Sequence, residues 1–230
     1  MYRHAIILAG GRGTRLMPLT KDLPKPLVQV GGKPFLRWQL TYLRDQGVRE
    51  ATLLVAHMAN KIIDYFKTHP IDDLSISYSI ENEPLGTGGA LKNALHQLPE
   101  SFWLFNGDSF LPLDLRAMAS FHALNRWEAT IAAVSSDRVS VSGNLRVKEG
   151  KVLEYNREAE FAHVDGGVYL ISKNLVREGP TGQADLGVFW QGGIQRGTIG
   201  AYMVNDRFFD IGTPERLKTF EQHLKNYFDV

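Results

Sequence analysis

Short unbroken apolar runs alternate with amphipathic stretches over the first hundred residues. Residues 5–9 (AIILA) form the first run, ended by Gly10-Gly11. A run this short, without polar alternation, predicts a strand buried on both faces, as in parallel sheets. Leu36, Leu40 and Leu43 then recur at helical spacing, and Gly47 closes that helix. Residues 51–56 predict a second buried strand. Ile62, Ile63 and Phe66 predict a second helix, closed by Pro70. Residues 74–80 alternate as a third strand, 87–98 suit a helix, and 102–105 make a fourth strand.

Strands alternating with helices predict an α/β fold: an open, mostly parallel, Rossmann-like sheet with helices on both faces. Ligands of such sheets bind beyond the carboxyl ends of the strands. The loops at 10–15 and 106–109 should therefore lie at the site. The second half reads as strand-rich. Residues 129–134, 167–171 and 199–204 are strands, and 145–147 and 152–155 flank Lys148-Glu149-Gly150-Lys151 as a hairpin. Thr213 caps a last helix with Pro214 at its first position and Leu217, Phe220 and Leu224 on its apolar face. The expected organisation is a single domain over 1–230, with halves at about 1–125 and about 126–230 sharing one cleft.

Composition changes this picture little. The chain has 230 residues, enough for a sizeable core. Formal net charge is +1, so no global field draws it to nucleic acid or an anionic membrane. There is no cysteine, which excludes disulfide and thiolate chemistry and agrees with a cytoplasmic setting. The N-terminal apolar run is too short for a signal-peptide core. No run approaches the roughly 18 residues of a membrane helix.

Several segments could carry chemistry. In Gly10-Gly11-Arg12-Gly13-Thr14-Arg15, the glycines let backbone N–H groups approach phosphate oxygens, and the arginines add forked charged donors. The spacing matches neither the dinucleotide fingerprint nor the Walker A loop. Pro24-Lys25-Pro26 pre-orients a lysine between two restricted residues. Asp108 follows a buried strand at the ligand edge, and Asp210 precedes the last helix. Two such carboxylates beside phosphate oxygens suit Mg²⁺. The glycine-rich 83–90 segment could lay bare backbone against a flat base. The seven histidines lack the spacing of a helical zinc motif, and there is no Gly-x-Ser-x-Gly elbow.

Leu8-Ala9-Gly10-Gly11-Arg12-Gly13-Thr14-Arg15-Leu16, followed by Pro24-Lys25-Pro26-Leu27, resembles the signature of the sugar-1-phosphate nucleotidyltransferases. The 83–90 segment, Asn106-Gly107-Asp108, Gly166-Gly167-Val168-Tyr169 and Phe209-Asp210-Ile211-Gly212-Thr213-Pro214-Glu215 follow in that family's order. Pro34-Phe35-Leu36 and 83–90 look most like the heptose 1-phosphate and mannose-1-phosphate guanylyltransferase branch. The resemblance implies transfer of a nucleotidyl group from a nucleoside triphosphate, GTP in this branch, to a sugar 1-phosphate. Pyrophosphate would be released, with Mg²⁺ as cofactor. It implies that Leu8, Ala9, Gly10, Gly11, Gly13, Thr14 and Arg15 hold the nucleotide, with Arg15 stabilising the leaving pyrophosphate. Lys25 would meet the reacting phosphates, and Glu83 and Gly88 would read base and ribose. Asp108 and Asp210 would hold the metal. Gly143, Asp165, Gly166 and Gly167 would line the sugar pocket.

The chain departs from the family at two places. The usual Glu-Lys after the hairpin strand is replaced by Tyr155-Asn156-Arg157-Glu158, which leaves Arg157 as the nearest cation for the acceptor phosphate. Asp165 stands near where asparagine is usual. The acyltransferase helix of some bifunctional relatives is expected to be lacking. A homo-oligomer is compatible with everything above. The alternatives are the same reaction with UTP, CTP or dTTP and a hexose or aminosugar 1-phosphate, or a non-catalytic sugar-nucleotide sensor.

Overall fold

The computed structural model describes residues 2–139 and 141–228. In chain order it runs β1 (His4–Leu8), β2 (Gln29–Val30), β3 (Lys33–Pro34), α1 (Phe35–Asp45), β4 (Glu50–Val55), α2 (Ala59–Thr68), β5 (Ser75–Ile80) and α3 (Gly86–Asn93). Then come β6 (Ser101–Asn106), β7 (Ser109–Phe110), α4 (Leu115–Asn125), β8 (Ala129–Ser135), β9 (Leu145–Lys148), β10 (Lys151–Tyr155) and β11 (His163–Ser172). The chain closes with α5 (Lys173–Glu178), α6 (Leu186–Arg196), β12 (Ile199–Val204), β13 (Phe209–Asp210) and α7 (Pro214–His223).

The main sheet has the order β5-β4-β1-β6-β11-β8-β12-β10-β9. From β5 to β6 every pairing is parallel. β11 then pairs antiparallel with both β6 and β8, β12 runs parallel to β8, and the β9–β10 hairpin closes the edge. Only β11 and β10 run against the rest, so the mostly parallel α/β architecture expected from the sequence holds. The unbroken apolar runs follow from burial on both faces. In β1, Ala5 and Ile7 enter one core while Ile6 enters the other. In β6, Trp103 and Phe105 face the first and Phe102 and Leu104 the second. Helices α1, α2 and α4 cover the first face, and α3, α5 and α6 cover the second. A third cluster, with Phe35, Trp38, Phe110, Phe209 and Phe220, clamps α7 to the β7–β13 ribbon.

Some expectations need correction. The helix predicted over 87–98 is shorter: α3 ends at Asn93, and a 3-10 turn follows. The strand predicted over 167–171 starts at His163 and carries a bulge between Asp165 and Tyr169. Three helices escaped the pattern. In α4 only Leu115, Met118 and His122 are buried, and its start is set by the Asp114 carboxylate, which accepts from Arg116 N (2.8 Å) and Ala117 N (3.1 Å). α5 is only six residues long, and glycines interrupt α6. No helix among the described residues is long and apolar enough to cross a membrane.

Candidate active site

A cleft of about 860 Å³ opens over the carboxyl ends of β1, β4, β5 and β6, where parallel strands converge. Leu8, Ala9, Gly10, Gly11, Arg12 and Arg15 line it after β1. Nothing protein-made lies within 4 Å of the Gly11 side-chain position, so that backbone faces open space. Arg12 and Arg15 are exposed and have no protein partner among the described residues. Gly13 and Thr14 do not line the cleft. Gly13 has φ 65°, and a Cβ there would press on the Lys25 stem at 2.8 Å. Glycine at this point therefore lets the loop pass close under Lys25.

Lys25 is buried, and its ammonium reaches Asp108 Oδ2 at 2.6 Å. Asp108 projects from the turn between β6 and β7, which Gly107 N anchors by donating to Leu8 O (3.0 Å). β13 lies antiparallel to β7 with Asp210 opposite Ser109, and Ile211 N donates to Asp108 O at 3.0 Å. Asp108 thus immediately precedes the strand that pairs with that of Asp210. The Asp210 carboxylate itself is turned to Gly212 N (2.8 Å) and Arg216 (3.1 Å) and does not line the cleft. No group of three metal-ligating side chains occurs among the described residues. Asp108, which lines the cleft with one oxygen accepting no hydrogen bond from the described residues, fits a Mg²⁺ ion that takes its other ligands from phosphate and water; Asp210 would join it by turning from Gly212 N and Arg216.

At the end of β5 the cleft wall is Glu81, Asn82 and Glu83. Glu81 is the more enclosed acid: its Oε2 accepts from Leu85 N (3.2 Å), and its Oε1 lies 3.2 Å from the side-chain position of Gly10. Burial pushes its carboxyl pKa up. Glu83 is exposed. Gly88 faces away from the cleft. Its N–H donates to Ala184 O (2.9 Å), and a Cβ there would strike the Phe189 ring of α6. Gly88 therefore serves close packing of α3 on α6, while Gly86 lines the cleft. Glu81 went unnoticed in the sequence because nothing local separates it from Glu83; only its place at the end of β5 does.

The far end of the cleft is built from Asn144, Tyr155, Arg157, Asp165, Tyr169 and Leu186. Asn144 Oδ1 accepts from Asp165 N (2.8 Å). The Asp165 carboxylate accepts from Gly167 N and from the Tyr169 hydroxyl, each at 2.9 Å. Burial raises the Asp165 pKa against those bonds. Tyr155 is pushed up to about 12 by burial and then by the Asp165 charge, so it stays a neutral donor. Arg157 sits beside Tyr155 and pairs with Asp185 of the α6 entry at 3.3 Å. Gly143, Gly166 and Gly167 lie behind this wall. Gly143 bridges to Phe161, and Gly166 packs on Leu111. Gly167, at φ 69°, lets β11 press against Asn106 and Ser109. Asn144, Tyr155 and Tyr169 are cleft residues that the sequence reading did not single out.

Comparison with known proteins agrees with this geometry. Residues 4–226 match the family described as nucleotidyl transferase. The chain is 34% identical over 215 residues to the D-glycero-alpha-D-manno-heptose 1-phosphate guanylyltransferase of Campylobacter jejuni, covering 92% of this chain and 95% of that protein. It is 35% identical to the mannose-1-phosphate guanyltransferase of Yarrowia lipolytica over 74% of this chain, spanning half of that longer protein. The crystal structure of HddC from Yersinia pseudotuberculosis complexed with GMP-PN superposes with a TM-score of 0.84 at 32% identity, covering 96% of this chain and 99% of that one.

Proposed function

The chain belongs to the nucleotidyl transferase family, and from that premise we propose that it transfers a guanylyl group from GTP to a heptose- or mannose-type sugar 1-phosphate, releasing pyrophosphate. The observation that carries this reading is a single cleft with two unlike ends. One end holds the glycine loop, Arg12, Arg15 and the Lys25–Asp108 pair; the other holds Asp165, two tyrosine hydroxyls and Arg157. In this reading residues to about 125 carry the nucleotide, and 126–230 carry the sugar phosphate and the second metal acid.

An oxygen of the sugar phosphate attacks the α-phosphorus of GTP. That P–O bond forms as the bond from the α-phosphorus to the bridging oxygen of the β-phosphate breaks. Nucleophile and leaving group both belong to the substrates, so no protein nucleophile is needed. The protein brings two anions together and neutralises them. Lys25 supplies a fixed ammonium, and Arg15, free of protein partners among the described residues, meets charge gathering on the departing pyrophosphate. Asp108 and Asp210 would hold Mg²⁺, which supplies positive charge against the phosphate oxygens. The Glu81 carboxylate can accept from both N1–H and the 2-amino group of guanine, a donor pair absent from adenine, uracil, thymine and cytosine. Arg157 is the cation for the acceptor phosphate, and Asp165 with Tyr155 and Tyr169 offers hydrogen bonds to sugar hydroxyls. A cytoplasmic setting, where nucleoside triphosphates are at hand, suits the reaction.

The test is a matrix of nucleoside triphosphates against sugar 1-phosphates with pyrophosphate measured. GTP with a manno-configured heptose or mannose 1-phosphate should give the highest rate. Preference for UTP, CTP or dTTP would overturn the base assignment. Absence of pyrophosphate with every pair would overturn the reaction.

A further inference from the structure

Helix α1 carries a polar side chain within its apolar face. Gln39 sits at helical spacing with Leu36, Leu40 and Leu43 and is 4% exposed. Its Nε2 donates to the carbonyls of Asn106 (2.9 Å) and Ser109 (3.0 Å). Those carbonyls bracket Gly107-Asp108. Both partners are acceptors, which assigns the amide nitrogen to that side. Oε1 is left buried with no partner among the described residues. A leucine would continue the apolar face but would take this donor from both carbonyls, so the amide is placed here by the turn it holds and not by the packing of α1.

Lys25 holds the Asp108 side chain of the turn that Gln39 grips, while the backbone of that turn has few other anchors. Gly107 gives it backbone freedom, and its other backbone anchors are the bonds to Leu8 O and from Ile211 N. The second bond also ties it to the strand of Asp210, since Asp210 lies opposite Ser109. From the opposite side, Gly167 packs on Asn106 and Ser109. Gln39 therefore closes both ends of a short loop whose central side chain is Asp108, and it acts on the same residue that pairs with Asp210.

We propose that Gln39 is a positioning residue for the metal pair: its two-pronged hold on Asn106 and Ser109 sets the Asp108 carboxylate relative to Asp210. The proposal rests on the reading of those two acids as the Mg²⁺ ligands. Groups one step behind metal ligands typically alter metal affinity or activity by roughly 10–100-fold when removed.

The test uses Mn²⁺ as the probe, followed by electron paramagnetic resonance in the whole chain, beside steady-state kinetics with Mg²⁺. Gln39→Leu should weaken Mn²⁺ binding by about tenfold or more and lower kcat by a similar factor. KM for GTP, and affinity for GMP measured in EDTA, should stay within about threefold. If Gln39→Leu fails to fold, Gln39→Met, which keeps the unbranched length, is read in the same way. Unchanged Mn²⁺ affinity in a folded variant would overturn the proposal. A parallel loss of metal-free GMP affinity would overturn it too, since Gln39 would then be a general packing residue. Asp108→Asn is the separate control on the metal pair: Mn²⁺ binding equal to wild type would refute that reading, and this proposal with it.

Discussion

The Lys25–Asp108 pair should respond asymmetrically to removal of either partner. The Lys25 side chain is 8% exposed and that of Asp108 is 43% exposed, with 2.6 Å between the charged atoms. Lys25→Met replaces a buried ammonium with an apolar chain of similar length. The Asp108 carboxylate left behind can hydrate in the cleft, and the desolvation cost of the lysine disappears with it. Exposed or half-exposed pairs contribute about 0–1 kcal/mol, so stability should change by no more than about 1 kcal/mol. Asp108→Ala does the opposite. It leaves an enclosed ammonium without an anion, and loss of a charge-assisted bond to a buried partner costs about 1.5–3 kcal/mol. For a chain of this size that corresponds to roughly 3–12 °C in Tm. Turnover, in contrast, should fall in both variants by on the order of 10²–10³, since each removes a preorganised charge from the reacting phosphates. Thermal melts in EDTA without nucleotide, set beside pyrophosphate release, separate the two effects. If Lys25→Met lowers Tm as much as Asp108→Ala, the pair is a structural salt bridge and the burial argument is wrong.

Arg157→Ala should raise KM for the sugar 1-phosphate while leaving KM for the nucleotide near wild type. Because Arg157 and Asp185 are 56% and 60% exposed, Tm should barely move; unchanged KM for both substrates would make Arg157 a bystander. Glu81→Gln should cost about 1.5–3 kcal/mol, roughly 10–150-fold, in kcat/KM for GTP through loss of a paired carboxylate contact to the base. A variant that keeps its full GTP preference would remove Glu81 from base reading. His122 is buried against Thr130, and burial lowers its pKa to about 4. The unfolded chain, titrating near 6.5, then binds more protons than the folded one between those values, so stability rises with pH there. The contribution is complete above about pH 6.5 and falls by roughly 3 kcal/mol on descent to about pH 4. Urea titrations at several pH values should show that part of the acid sensitivity missing from His122→Phe; an identical pH profile would refute it.

The parallel half of the fold was legible because burial on both faces leaves a local mark. Ala5 to Ile7 and Phe102 to Phe105 must all be apolar when alternate residues enter different cores. The basic glycine loop and Asp108 were legible for a related reason: they follow such strands directly, and parallel strands deliver their carboxyl ends to one edge, whereas Lys25 was marked by the prolines on either side of it. Helices α4 and α6 were not legible. Their inward faces use few residues, and apolar residues on the outside, Leu124 in α4 and Val188 in α6, blur the period that remains. The insertion of β11 between β6 and β8 leaves no local mark either, since strand order depends on pairing between distant segments.

Within the site, the division runs along the same line. The sequence by itself determines which segments can carry phosphate, metal and base chemistry, because that capacity belongs to residue type and short-range backbone freedom. Which member of a segment faces the cleft is a matter of helix phase and strand end, and these depend on what packs behind. Phe189 turns Gly88 inward to α6, and the end of β5 brings Glu81 rather than Glu83 against the glycine loop. The pairing of β7 with β13 brings Asp210 beside the Asp108 turn across a hundred residues of chain. Gln39 takes its meaning from two carbonyls some seventy residues away. An amide on an apolar helix face is a local anomaly in the sequence; only the folded chain supplies the acceptors that account for it.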